Sequence, residues 1–135
     1  MANHPVKIIR GEEVDFVAAS HEDPRNPGVL KRVLATKHDF FEGQIMMVNW
    51  ARLPAGQSFQ SHYHEDMLEV FIMLGGPVAM KVDGESIELN HGDAIFIEPG
   101  AIHNMSNNTI NDVDYIVFGV SQKQAGRTVV VDESI

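Results

Sequence analysis

Short apolar runs separated by turn-forming residues dominate this sequence. Their spacing of roughly eight to twelve residues, together with their Val, Ile and Phe content, is typical of an all-β sandwich or barrel. None has the length and spacing of an amphipathic helix. We therefore predict an all-β fold with little helix. The runs are Val6–Ile9, Val29–Ala35, Gln44–Leu53, Glu69–Leu74, Val78–Val82, Ser86–Leu89, Ala94–Ile97 and Asp114–Val120.

The connections between the runs carry turn signals of different strength. Asp83-Gly84 predicts a tight hairpin, because glycine tolerates the positive φ that such a turn requires. The segment from Ala18 to Gly28 is polar and twice interrupted by proline, which predicts an exposed loop. In the tail, residues 122–135, the β-prone run Thr128–Val131 is compatible with an edge strand, a strand exchanged with a second subunit or a frayed end.

Length and composition limit the classes of protein to consider. A chain of 135 residues is expected to form one domain, 1–135, with a core barrel at about 29–121 and the terminal segments as edge strands or tails. No run reaches the ~18 apolar residues that span a bilayer, and the start lacks the apolar core of a signal peptide, so we expect a cytoplasmic protein. A net charge of −9 argues against nucleic acids and anionic membranes as partners.

Three histidines and one glutamate are the candidates for a metal site. In a strand, His62 and His64 project from one face, although such a pair is weak evidence alone. Alternation places Glu69 on the same face as Phe71 and Met73, and an inward carboxylate needs a cation or another polar partner. His103 begins another extended segment, as ligands that converge from different strands do. Because cysteine is absent, nitrogen and oxygen atoms must hold any metal.

At these residues the chain resembles the cupin superfamily, whose two motifs are both present. The first, G-x5-H-x-H-x4-E-x6-G, is matched in full by Gly56, His62, His64, Glu69 and Gly76. The second, G-x5-P-x-G-x2-H-x3-N, is matched by Gly92, Gly100, His103 and Asn107. Its one departure is Glu98, which takes the place of the proline and precedes Pro99.

The resemblance implies a single jelly-roll β-barrel of the cupin type, with His62, His64, Glu69 and His103 as ligands of one divalent transition metal. We prefer Mn or Fe, while Zn, Ni, Cu or Co also suit these ligands. Such a protein is expected to be a metal-dependent enzyme for a small oxygen-rich substrate, of dioxygenase, isomerase, decarboxylase or lyase type. Dioxygenase and isomerase come first, and fold alone does not select among them.

The sequence says less about the residues that would surround the metal than about its ligands. Glu98 is a candidate general base if it is buried among Ile95 to Ile97, but we favour the alternative that it faces solvent or caps a turn. Phe71, Met73 and Gln60 are candidates for the substrate pocket. Phe71 and Met73 could instead pack in the hydrophobic core, and Gln60 could lie in solvent at the rim of the barrel. The remaining histidines lie in loop-like or terminal contexts and are interpreted as solvated: His4, His21, His38 and His91.

Three alternatives to a metalloenzyme stay open. One is a cupin that binds metal loosely or works as an isomerase without it, and another is a non-catalytic module that binds a sugar or organic acid. A structural or storage role ranks last, because an inward set of three histidines and a glutamate serves no packing purpose. We also expect a homodimer, because Val29 to Leu34 and Thr128 to Val131 would offer unpaired strand edges.

Overall fold

In the computed structural model, residues 7, 9–40, 44–121 and 127–132 are described. These residues form strands and two single-turn 3-10 helices, Gly11–Glu13 and Lys37–Asp39. No helix in these ranges is long and apolar enough to cross a membrane. The strands are β1 (Val17–Ala18), β2 (Leu30–Thr36), β3 (Ile45–Leu53), β4 (His62–His64), β5 (Leu68–Met73), β6 (Val78–Val82), β7 (Glu85–Leu89), β8 (Ala94–Ile97), β9 (His103–Ser106), β10 (Val113–Val120) and β11 (Thr128–Val130).

Two antiparallel sheets face each other. The six-stranded sheet has the order β1-β2-β3-β10-β5-β8, and the five-stranded sheet has the order β11-β4-β9-β6-β7. The pairings β3–β10, β4–β9, β5–β8 and β6–β7 are nested, as in a long hairpin that has been folded over. This nesting produces the jelly roll that the sequence predicts.

The hairpin between β6 and β7 closes through Asp83 and Gly84. Both residues have positive φ, 48° and 86°, as the predicted tight turn requires. Side chains then alternate between the barrel interior and the surface, most regularly in β10, where every second residue is buried. Leu53, Met80 and Met105 are fully buried at the centre of the core.

The ends of the predicted strands need some correction. Seven of the eight apolar runs coincide with strands within one or two residues. Of the eighth, Val6–Ile9, only Lys7 and Ile9 are described, and neither belongs to a strand. The run at β2 is not a free edge along its whole length, because β1 pairs with Leu30 and Lys31. Residues Thr128–Val130 form an edge strand against β4 of the same chain.

Candidate metal centre

The four sequence-predicted ligands meet between the two sheets. His62 and His64 lie on β4, and His103 on the adjacent β9 pairs with His62, while Glu69 comes from β5 in the opposite sheet. Each offers one nitrogen or oxygen atom, and these four atoms lie within 4.8 Å of one another. All four residues are buried, with exposed fractions between 1% and 6%. The alternation argument therefore predicted the inward faces of these strands correctly.

Main-chain carbonyl groups fix the orientation of two imidazole rings. The Nδ1 atom of His62 donates to the carbonyl oxygen of Gln60 at 2.8 Å, and that of His103 donates to the carbonyl oxygen of Ala101 at 2.9 Å. Because a carbonyl oxygen only accepts, Nδ1 carries the proton in both rings. In the neutral ring, Nε2 then has a free lone pair, which is the arrangement of a metal-ligating histidine.

Atoms that accept hydrogen bonds lie close together at the centre of the cluster. The Oε1 atom of Glu69 lies 3.1 Å from Nε2 of His103 and 3.2 Å from Nε2 of His64. The His64 contact lacks the alignment of a hydrogen bond, so its Nε2 is buried without a hydrogen-bond partner among the described residues. With His103 neutral, a lone pair would face the carboxylate oxygen. A cation between these atoms, either a metal ion or a proton, removes the conflict.

The ionisation states favour a metal ion. Burial, with His21 and His103 nearby, lowers the pKa of His62 from 6.5 to about 3, so this imidazole is neutral at physiological pH. Burial alone would raise the pKa of Glu69, but His103 and His64 outweigh it and hold the pKa below its usual range. A neutral His62 and an ionised Glu69 are donors that divalent transition metals accept.

The structure corrects the interpretation of His21. This ring is not a solvated surface group: it stacks on His62 with ring centroids 4.1 Å apart, and its side chain is 15% exposed. Glu22 holds it there, because the buried carboxylate accepts hydrogen bonds from Nδ1 of His21 and from the backbone N–H groups of Gly28 and Gln60. The polar loop thus folds back onto the candidate metal centre. No periodic pattern in the sequence signals this contact.

A cavity of about 470 Å³ adjoins the cluster. Its apolar lining includes the methionines Met46, Met47 and Met67, and its polar lining includes Tyr115, Lys31 and Asn49. Burial raises the pKa of the Tyr115 hydroxyl, with further contributions from Glu69 and Glu22, so the hydroxyl stays protonated. The described lining residues are Ala19, Ser20, His21, Val29, Lys31, Thr36, Lys37, His38, Met46, Met47, Asn49, Ala51, His64, Met67, Glu69, Tyr115, Val117 and Thr128.

The other candidates of the sequence analysis lie away from this cavity lining. Phe71 and Met73 face inward as expected and belong to the hydrophobic core, with the Phe71 ring centroid 6.0 Å from that of His103. Gln60 is exposed and contributes through its backbone alone. Glu98 is exposed as well, so the burial that would make it a general base is not found. Of the other histidines interpreted as solvated, His38 is exposed and lines the cavity, His91 is exposed elsewhere, and His4 lies outside the described residues.

Residues 49–119 match the family model of the cupin domain. This chain is a cupin. The matched residues extend from β3 to β10 and include all four candidate ligands. The family assignment therefore confirms the resemblance seen in the two sequence motifs.

Among proteins of known activity, this cupin is 33% identical over 92 residues to quercetin 2,3-dioxygenase from Bacillus subtilis (strain 168). The matching region covers 67% of the chain but only 27% of the dioxygenase. The chain thus spans about a quarter of the length of that relative.

Solved structures agree with the fold. A predicted oxalate decarboxylase from Thermotoga maritima superposes with a TM-score of 0.76 at 22% identity, covering 85% of this cupin and 99% of that chain. The polyketide cyclase RemF from Streptomyces resistomycificus superposes with a TM-score of 0.73 at 19% identity, covering 95% of this cupin and 88% of that chain. A sugar phosphate isomerase from Silicibacter pomeroyi superposes with a TM-score of 0.72 at 17% identity, covering 95% of this cupin and 94% of that chain. At these identities the similarity shows the fold alone.

Proposed function

We propose that this cupin binds one divalent transition metal through His62, His64, Glu69 and His103 and is a metal-dependent enzyme for a small oxygen-rich substrate. The proposal rests on the close contact of hydrogen-bond acceptor atoms at the centre of the four-residue cluster. Backbone carbonyls occupy Nδ1 of His62 and His103, the Nε2 atom of His103 lies 3.1 Å from the buried carboxylate of Glu69, and His62 contributes its ligand atom to the same cluster. A divalent ion satisfies all these groups at once, which apolar packing cannot do.

The donor atoms suit Mn or Fe first and admit Zn, Ni, Cu or Co. When bound, such an ion supplies Lewis-acid chemistry or dioxygen activation. The chain's own residues supply the surroundings: Glu69 and the histidines would hold the ion, Glu22 fixes the His21 ring, and three methionines line the adjoining cavity. Tyr115 offers a protonated hydroxyl to a bound molecule.

Among the reaction classes that cupins allow, a dioxygenase is the one we favour. The support is the 33% identity to quercetin 2,3-dioxygenase over 67% of this chain, which is higher than the identity to the decarboxylase, cyclase or isomerase structures. An isomerase is our second choice. The turnover experiment below distinguishes both enzymes from a non-catalytic binding module.

Metal content tests the ligand set. Protein purified without added ions is expected to hold about one equivalent of transition metal by elemental analysis, and His62→Ala is expected to hold much less. His91→Ala is the matched control, because His91 is an exposed histidine away from the cluster. Metal content well below one equivalent in the wild type, with no further decrease in His62→Ala, would contradict the proposal.

Turnover separates the enzyme from the binding module. Aerobic incubation with diketones, catechols and keto acids is expected to consume dioxygen and yield a product, and Glu69→Ala or His103→Ala should abolish both. Saturable binding without a product would instead support the module. Product formed without consumption of dioxygen would favour the isomerase.

We also propose that the chain is a single domain and assembles as a homodimer. The nested pairings join β3 to β10 in one barrel, which supports the first statement. For the second, the edge strand β8 carries Phe96, 63% exposed, next to the half-exposed Ile72 of β5. An exposed apolar sheet edge is a usual place for subunits to pair.

A further inference from the structure

Lys31 is a cation on the inward face of the barrel. On β2 it pairs with Ala51 of β3, a buried residue whose side chain lines the cavity, so Lys31 shares that face. It is half-buried and also lines the cavity. Among the described residues, Lys31 forms no ion pair with a carboxylate. Burial lowers the pKa of this unpaired ammonium, which is the cost of holding it away from water.

Asn49 lies beside Lys31 with an unused acceptor. It pairs with Val33, two residues along from the Lys31–Ala51 pair, so the two side chains are diagonal neighbours at about 7 Å between Cβ atoms. Asn49 is 5% exposed, and its Oδ1 atom has no hydrogen-bond partner within the described part of the chain. A buried polar atom without a partner is uncommon and suggests a ligand or a water molecule.

The charge of the cavity is opposite to that of the chain as a whole. The chain carries 19 acidic against 10 basic residues, yet Glu69 is the one carboxylate residue among the described cavity-lining residues, which include Lys31 and Lys37. Once a divalent ion neutralises Glu69, the cavity is positive. Such a cavity favours an anionic ligand.

Strand register places Lys31 away from the candidate metal centre. Glu69 aligns with Gly119 and, through it, with Met47 of β3, whereas Lys31 aligns with Ala51. Met47 and Ala51 are four residues apart on one strand, which is about 13 Å of backbone. A ligand that contacts both Lys31 and the candidate metal centre must therefore bridge two separate positions along the cavity, as a molecule with polar groups on either side of an apolar ring can do.

We propose that Lys31 and Asn49 form a second recognition site in the cavity, which binds a carboxylate of a substrate whose opposite end meets the metal. The substrate class is thus an aromatic or similarly extended acid with an oxygen pair remote from its carboxylate. Lys31 donates to the carboxylate, and the Oδ1 atom of Asn49 accepts from a hydroxyl or other donor of the same ligand. The inference rests on the proposed function for the orientation of the substrate, but Lys31 acts without the metal.

The probe for this site is 3,4-dihydroxybenzoate, with its uncharged methyl ester as the comparison. Calorimetric titration of metal-free and metal-loaded protein should give about tenfold tighter binding of the acid than of the ester, the size of one charge-assisted hydrogen bond. In Lys31→Met this preference should fall to about one. Lys37→Met is the matched control: it removes the same charge from an exposed residue of the same cavity and should keep the preference.

A second variant guards against a folding defect. Asn49→Asp keeps the side-chain shape and places a negative charge beside Lys31, so it should weaken binding of the acid and leave binding of the ester unchanged. Equal affinities for acid and ester in the wild type, or an equal loss of preference in Lys31→Met and Lys37→Met, would overturn the inference. Failure of metal loading would instead remove the proposed function, while the preference for the acid in metal-free protein would still stand.

Discussion

Acid should destabilise the metal-free protein through His62. In the folded chain, burial lowers the pKa of this ring from 6.5 to about 3, whereas the unfolded chain takes up a proton near 6.5. The unfolded state therefore binds more protons between these values, and the stability that the neutral ring provides is lost as the pH falls below 6.5. From pH 7.5 to pH 5 the loss is about 2 kcal/mol, from 1.4 kcal/mol per pH unit below 6.5.

Urea unfolding in the presence of a chelator measures this loss at each pH. His62→Gln should be less stable at pH 7.5 but should lose far less of its free energy of unfolding by pH 5. His91→Gln, at an exposed position, should retain the wild-type slope. Limiting the range to pH 5 and above keeps the contribution of Glu69 small, because its ordinary pKa is 4.5. A His62→Gln slope equal to that of the wild type would refute the argument.

Two further predictions concern packing and assembly. Gly28→Ala should destabilise the fold by about 1–3 kcal/mol in urea unfolding, because a Cβ there would lie 2.0 Å from the carbonyl oxygen of Ser58 and 2.7 Å from Oε1 of Glu22. Gly75→Ala, whose Cβ would meet only ordinary contacts, should change the stability little, and equal effects of the two would contradict this reasoning. Light scattering at micromolar concentration should give twice the chain mass of 15.0 kDa, and a monomeric mass would reject the homodimer.

The jelly roll and the four candidate ligands were predicted from local features, namely strand alternation and the two cupin motifs. Alternation places His62 and His64 on one face of β4 and Glu69 on the face of Phe71 and Met73, although Val70 on the other face of β5 is buried as well. The hairpin at Asp83 was predictable for a similar reason, because its chemistry is contained in two adjacent residues. Patterns of this kind need no knowledge of distant parts of the chain.

The position of His21 depends on long-range contacts and was missed. Its loop is polar and rich in proline, which is typical of exposed segments, but Glu22 anchors it to Gln60, 38 positions away in sequence. For Glu98 the sequence left both burial and exposure open. The side chain is exposed, because β8 is an edge strand, on which Phe96 is 63% exposed as well.

Lys31 had a signal in the sequence that alternation could have revealed. It lies two residues from Val29, which is 2% exposed, so an inward β2 face would include both residues. A lysine on an inward face, like the inward Glu69, needs a polar or charged partner that compensates for the burial of its charge. What the sequence could not supply was the neighbour, since Asn49 becomes diagonal to Lys31 only through the pairing of β2 with β3.

The main-chain hydrogen bonds to His62 and His103 have a consequence for variation at this site. Each ring is held by the carbonyl group of the residue two positions earlier, Gln60 or Ala101, and a carbonyl group is present whatever side chain that residue carries. The side chains at these two positions can therefore be exchanged without removing the acceptors that orient the rings. Positions 60 and 101 are thus places where related proteins, or an engineer, could change the surroundings of the centre while leaving its ligands in place.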